Sequence, residues 1–484
     1  MLQKTILFFL IILHSVLLSA QETTTFKGFI LDSEKNIPIE NVNISVVNSS
    51  IGSISNSDGG FIINSPSNIK SKFLLISHLG YQSKKIELDS LKNNDIILLT
   101  RVYFELEEVA INSHKSDLTA NQIINKVFEN YANNFPNEPF IAKGFLRHTE
   151  KNKKEYKWLI EAGITMYDNT KFGKEAKINL NIDAKRNSSD NRSIDSVHLY
   201  FLYLISAKKK KYNIYKGKKR RKIRDTVSKN ELARAIKHND YKSNGLTKIF
   251  NGHKNRTKYG VKFYNGNQNI IRNYNSKEAI FDKKILKKHK FSLDTILYEG
   301  DRQVYKIKIT PNQKMINLNK VLKKHYIPIG WFYIYKDNFA IKELDYTLLA
   351  GSKDAKLRNS IVYGTPVHYK INLKYIEYNN KMYLNYYSCS VPKSLNMVLD
   401  YSNTGGGGEK FYYTKQEILF TEIITKSVES LASGIKWNSD LFSPMKYDEE
   451  YWKKNTILLE SKEQQKMIKD LEKKVSLKKQ FQQN

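Results

Sequence analysis

Along most of this chain, hydrophobic and polar residues alternate with the period of two that a half-buried strand requires. In the first hundred residues the runs are short. Phe26 to Leu31, Val42 to Val46, Gly60 to Ile63, Phe73 to Ser77 and Lys84 to Leu88 read as strands. Turn residues separate them at Asp32-Ser33, Asn36 to Pro38, Asn48 to Gly52, Ser57 to Gly60 and Gly80. Short strands punctuated this closely predict a small β-sandwich of about 75 residues.

The pattern then changes twice. "LTANQIINKVFENYANNFP" has helical period, with Ile123, Ile124, Val127 and Tyr131 on one face. Thr119 and Gln122 have capping-box spacing at its start, and Asn133 to Pro136 stop it. From Phe140 the alternation returns in longer runs, at 304–310, 330–349, 369–378, 381–391 and 415–425. These predict antiparallel strands, with hairpin turns at Lys336-Asp337-Asn338 and Asn379-Asn380. Ser228 and Glu231 open a short helix over 228–238, and Ile468, Leu471 and Val475 give the last residues helical spacing.

The predicted fold is therefore mainly β. A seven-strand-type sandwich occupies 23–101 and a linker 102–116. A large antiparallel β domain with an N-terminal helix fills 117–455, and a charged helical tail 456–484 follows. Residues 1–20 read as a signal peptide: Lys4, an apolar run from Ile6 to Leu18, then Ala20, with cleavage expected near Ala20-Gln21. The run is shorter than the ~20 apolar residues that cross a bilayer. Export then places the chain in the periplasm or at the outer-membrane periphery.

Cys389 is the single cysteine, so no disulfide framework exists and the cores must carry the stability. Lys and Arg number 80 against 48 Asp and Glu, a net charge of +32. The densest block holds Lys208, Lys209, Lys210, Lys211, Lys218, Lys219, Arg220, Arg221 and Lys222. In an exported protein its counter-charge is lipid head groups or acidic glycans, not nucleic acid, and the chain's expected partner is an envelope protein or an anionic membrane surface. The other reading is a solvated loop.

"IGSISNSDGGF" (51–61) could hold a metal, cradle a phosphate or turn a hairpin. A calcium loop needs several spaced oxygen ligands, and Asp58 is the only acidic residue here. A phosphate loop needs Gly-Lys-Ser/Thr opening a helix, and Phe61-Ile62-Ile63 is strand-like. Asp and Gly at these positions suit a turn. On turn chemistry alone, Gly59→Val should cost about 1–3 kcal/mol and Asp58→Asn nearly nothing.

Gly28, Asp32, Pro38-Ile39, Val42, Val46, Gly52, Asp58-Gly59, Phe61 and Gly80-Tyr81 together resemble the carboxypeptidase-D regulatory-like domain. "LEEVAI" (106–111) resembles the segment that often follows it. The resemblance implies a transthyretin-like sandwich, non-catalytic, of a kind common at the N-termini of exported Bacteroidetes proteins. One departure is Ser55-Asn56, where the family often has Thr-Asp; both pairs suit a turn. "TANQIINKVFENY" through "KGFLRHTEKNKKEYKWLIEAGITMYD", and "YDEEYWKKNTIL" (447–458), resemble a β-rich Bacteroidetes family, a kinship that carries no activity with it. Tyr305 to Pro311, Gly330 to Tyr335 and Asn338 to Ile341 resemble the lipoprotein-carrier type of open sheet. That likeness implies an apolar concavity for acyl chains.

Catalytic signals are weak. No histidine begins H-x-x-E, no G-x-S-x-G occurs, and Cys389 sits in a strand-like run. His148-Thr149-Glu150 is the nearest approach to a metal pair, and no third ligand is evident. No catalytic, metal or cofactor residue is assigned. The expectation is a non-enzymatic binding or scaffolding protein of the envelope. A periplasmic carrier of an apolar ligand is the alternative and a hydrolase the third reading. A membrane barrel is opposed by strand lysines, each costing ~2–4 kcal/mol at mid-bilayer.

Overall fold

The computed structural model describes residues 23–482 apart from 67–70, 72, 103–117, 152–154, 170–177, 189–288, 312–315, 320–323, 354, 358, 360–364, 393–412, 438–440, 442–444 and 456–460. The signal segment, the basic block from Lys208 to Lys222 and the helix expected over 228–238 lie outside the described residues.

The N-terminal alternation folds into two facing sheets. One runs β4 (Gly60–Pro66), β1 (Thr23–Asp32), β7 (Asp95–Leu99). The other runs β3 (Gly52–Ile54), β2 (Asn43–Val46), β5 (Phe73–Ser77), β6 (Lys84–Glu87). Their inner side chains, among them Ile30, Val42, Ile44, Phe61 and Leu74, form one buried core. β3 and β7 escape the alternation pattern: one is three residues long, the other is Asp95 followed by four apolar residues without alternation. Leu88 opens a short 3-10 turn instead of ending β6.

Asp32 closes β1 and is fully buried. Its carboxylate accepts from the backbone nitrogens of Lys35 and Glu34, at 2.9 and 3.0 Å. It also accepts from Arg101 Nε at 2.5 Å and Tyr81 Oη at 2.9 Å. The Lys35 backbone donor and the Arg101 guanidinium hold the Asp32 carboxyl well below the usual carboxylate range. One side chain thus fixes a turn and ties three parts of the sandwich together.

The stretch 57–60 is a turn. Gly59 has φ +74°, and a Cβ there would lie 2.3 Å from the carbonyl oxygen of Ile30. Gly59→Val therefore meets strain and a backbone clash together. Chemical denaturation should read a loss of about 2–5 kcal/mol. The side chain that organises the turn is Asn56, not Asp58: Asn56 Oδ1 accepts from the backbone of Asp58 and Gly60 at 3.0 and 2.9 Å. The Asp58 carboxylate instead accepts from the backbone nitrogen of Lys462, at 2.6 Å. Asp58→Asn removes a charge from a helix start, so the same denaturation should read about 0.5–1 kcal/mol where turn chemistry alone expected none.

The second domain is an 11-stranded sheet. Its path is β10 (Ile178–Asn187), β9 (Tyr156–Asp168), β8 (Phe140–Lys151), β18 (Tyr413–Ile424), β17 (Lys381–Pro392), β16 (Val367–Tyr378), β15 (Ile341–Ala350), β14 (Lys324–Tyr335), β12 (Arg302–Pro311), β11 (His289–Glu299). β13 (Ile316–Asn319) pairs with β14 beside it. Every pairing along the path is antiparallel. The path has two ends, so among the described residues the sheet is open. The hairpin at Asn379-Asn380 forms as expected, with both asparagines at positive φ.

Register sets the two faces. Leu146, Ile418, Tyr387, Leu373, Leu344, Phe332 and Ile307 are successive cross-strand partners, and all are buried. This is the core face. Helix α1 (Ala120–Asn134) packs on it through Ile123, Ile124 and Val127, capped by the expected Thr119–Gln122 box. One residue along each strand, the side chains point to the other face and the row turns polar. The sandwich and four short helices, α2 (Val428–Ser433), α3 (Glu449–Lys454), α4 (Lys462–Leu471) and α5 (Leu477–Gln482), carry residues that pack against this second face. The tail is thus two helices, α4 packed back on β9 and α5 on β10, not one. Gln480 Nε2 donates to the carbonyls of Leu471 and Val475, at 3.0 and 2.6 Å, which a continuous helix would have used itself. Ile468 and Leu471 face inward; Val475, in the bend, is exposed.

Candidate functional site

The polar row crosses nine strands as Arg186, Glu161, Arg147, Glu417, Ser388, Asn372, Asp345, Trp331 and Lys308. Its first half is buried beneath the other elements. Arg147 Nη2 and Arg186 Nε reach the two oxygens of Glu161, each at 2.7 Å. Burial alone would raise the Glu161 carboxyl, but the two guanidinium groups hold it below its ordinary value. The Arg186 guanidinium also lies 4.3 Å over the Trp452 ring of α3. Next along, Glu417 accepts from Lys415 and Tyr386 at 2.8 and 2.7 Å. Burial again opposes the charge, and Lys415 again overrides it.

Where the sandwich, this row and α4 meet, a cleft of about 90 Å³ remains. Glu40, Asn56, Arg147, Lys415, Glu417 and Glu463 are among its walls. Ile54 of β3 packs on Tyr386 and Leu419 at its floor. Tyr156 Oη donates to Glu463 at 2.5 Å, and burial followed by that acceptor pushes the phenol well above its usual range. Small-molecule sites typically offer ~300–1,000 Å³. This one has room for a few waters. Lys415 pairs with Glu417 within its wall, and the Tyr156–Glu463 and Asp58–Lys462 contacts tie the sheet, the sandwich and α4 together around it.

A second joint lies beside the first on the same sheet of the sandwich, where Asn43 pairs with both Ile54 and Ser77. Glu299, at the end of β11, accepts from Ser77 Oγ at 2.8 Å, Tyr335 Oη at 2.5 Å and Lys342 Nζ at 2.8 Å. Burial works against its charge, but Lys342 and the hydroxyl donors bring its pKa down to about 2. The backbone nitrogen of Gly80 donates to the Tyr298 carbonyl at 3.0 Å. Beside them a void of about 30 Å³ is lined by His78, Asn43, Asn385, Glu343 and Lys374. Burial and then the Lys374 charge lower the His78 pKa to about 4.

That histidine makes the joint acid-sensitive. Its folded pKa lies below its unfolded value of 6.5, so the unfolded state takes up the proton first. Stability is intact above pH 6.5 and falls as pH drops toward 4, by about 2–3 kcal/mol in all. His78→Asn should flatten that limb, which thermal melts at pH 7.5 and pH 4.5 will read. An equal loss in wild type and variant would remove His78 from the account.

Of the residues singled out from sequence, His148 and Glu150 are brought together, Nε2 to Oε1 at 3.4 Å. They lie buried on the core face beside Gln416 and Trp158. Cys389 is buried on the same face. Among the described residues, no group of His, Cys, Asp and Glu is placed to hold a metal. Glu161, Glu299 and His78 were missed, because no local motif marks residues whose partners are distant in sequence.

Residues 26–111 match the family model of the CarboxypepD_reg-like domain. No curated protein matches the chain. Among solved structures, a LolA superfamily protein from Nitrosomonas europaea is similar at 9% identity, over 68% of this chain and 98% of that one, with a TM-score of 0.22. A domain described as an outer membrane lipoprotein-sorting protein, from Vibrio parahaemolyticus, is similar at 9% identity, over 66% and 97%, with a TM-score of 0.27. Superpositions this loose carry no argument about cargo.

Proposed function

We propose that this chain, with its regulatory-like domain at residues 26–111, is a non-catalytic binding or scaffolding protein of the cell envelope. In this reading it is exported by its N-terminal segment, and its sandwich is a platform held firmly on the large sheet. The observation that carries the reading is the filling of the core face. A carrier of acyl chains needs an empty apolar concavity. Here Tyr346, Tyr387, Phe332 and Phe420 occupy that space, all buried, and α1 lies over part of it. The self-paired charges at both joints add support, since they suit holding a partner-presenting surface more than turning over a substrate.

The test is native purification from fractionated envelopes, with mass spectrometry of co-purifying proteins and lipids. The expected result is a mature chain without residues 1–20, in stoichiometric company with an envelope protein. One acyl lipid per chain would support the carrier instead. Intact Met1 in the cytosol would overturn export.

A further inference from the structure

On its β7 side the sandwich leaves an apolar strip of one sheet face exposed, while toward β4 the same face is covered and Ile62 is buried. On the β1–β7 sheet, Phe29 opposes Ile96, and Leu31 opposes both Leu98 and Pro38, so these side chains share the outer face. The inner face of the same strands is the closed core: Ile30, Ile97 and Leu99 are buried. Outside, Ile96 is 62% exposed, Leu98 41%, and Ile37 in the adjoining turn 47%. Four consecutive apolar residues on a strand with a parallel neighbour are normally covered on both sides. β7 is covered on one.

The rim of this strip is lysine. Lys84 Nζ reaches the Leu98 carbonyl at 3.5 Å. The turn holding Lys35 is tied to the Leu99 end by Ser33, whose backbone nitrogen donates to the Leu99 carbonyl at 2.9 Å. The turn holding Lys92 closes the other end, where its backbone nitrogen donates to Asp95 at 2.8 Å. All three lysines are exposed; Glu34 is an exposed carboxylate beside Lys35.

We infer that this strip docks on an anionic lipid surface. A second copy is disfavoured, because each chain carries +32 and two such surfaces repel. A protein partner is less suited: interface centres are rich in aromatics and Arg and poor in Lys. The most exposed members here are aliphatic, and the rim is lysine. Aliphatic side chains that enter the headgroup boundary, ringed by lysines whose stems lie along it and whose ammonium groups meet phosphate, are what an anionic bilayer binds. The inference rests on the envelope location proposed above, and it concerns a surface distinct from the block at 208–222.

Flotation of the purified mature chain with vesicles tests it, using phosphatidylglycerol–phosphatidylcholine vesicles and pure phosphatidylcholine vesicles. Wild type should float with the anionic vesicles only, more strongly at low salt. Ile96→Thr with Leu98→Thr keeps β propensity and should weaken binding about tenfold or more at any salt. Lys35→Gln, Lys84→Gln and Lys92→Gln together should weaken it at low salt and little at high salt. Circular dichroism and thermal melts of each variant check the fold; if the Thr pair unfolds, the Gln triple still decides. Wild type that stays off anionic vesicles, or both variants binding as wild type does, overturns the inference. Vesicle binding lost only when Lys208 to Lys211 are replaced also overturns it. An envelope protein partner found without any vesicle binding would sink this inference and leave the proposed function standing.

Discussion

Replacing Lys342 by methionine should release the sandwich from the sheet while each remains folded. The Glu299 and Lys342 side chains are only 8% and 11% exposed. Without the ammonium, Glu299 keeps Ser77 and Tyr335 as donors but loses the charge that makes burial tolerable. Breaking one side of a buried ion pair costs about 3–5 kcal/mol. That cost falls on the joint, since Ser77 belongs to the sandwich and Glu299 to the sheet. Calorimetry should show one thermal transition in wild type and two in the variant. The acid limb should move as well. In wild type Glu299 has a folded pKa of about 2 against 4.5 ordinarily, so its contribution is full above pH 4.5 and lost as pH falls toward 2. With Lys342 gone, the loss should begin nearer neutrality. A single transition at the wild-type temperature would show that the joint does not depend on this pair.

Glu161→Ala should damage the sheet itself. It leaves Arg147, 10% exposed, and Arg186, 29% exposed, facing each other without their shared carboxylate. The expected loss in urea denaturation is about 3–5 kcal/mol. Replacing Arg147 and Glu161 together by Met and Leu should cost less, because only the more exposed Arg186 is then left without its carboxylate. A double-mutant cycle separates the pair term from the packing of the arginine stems. Equal losses for the single and double variants would mean that the site is held by shape and not by charge.

The two kinds of element were not equally legible from sequence. The helix at Thr119 was, because capping residues and an apolar stripe are local signals and the tertiary contacts agree with them. The long strands β12 and β14 to β18 were legible for the same reason: a period of two survives whichever neighbour a strand takes, whereas β8 to β11 were not marked out as separate runs. β7 was not legible, since four apolar residues in a row after Asp95 have no period. The neighbours of each strand were not legible either. Nothing near Phe140 says that β8 pairs with β18, so the row from Arg186 to Lys308 could not be assembled beforehand. The joints were hidden for a related reason. Asp58 looked like a turn residue because its local sequence is a turn; its partner Lys462 is visible only in three dimensions.

The pairing of β8 with β18 also bears on how the molecule is made. Ile141 sits beside Ile424 and Lys151 beside Tyr413. β8, β9 and β10 can form a meander as soon as they are synthesised, but the β8 edge then stays open until the chain has run on to β18. Contacts this far apart in sequence close slowly, because loop entropy is lost before any contact offsets it. An unpaired strand edge is also where chains join wrongly. The sandwich, built from nearer contacts, completes first. The return of β18 to β8 is then the late step of folding, and the β8 edge is the place where a folding helper has most to protect.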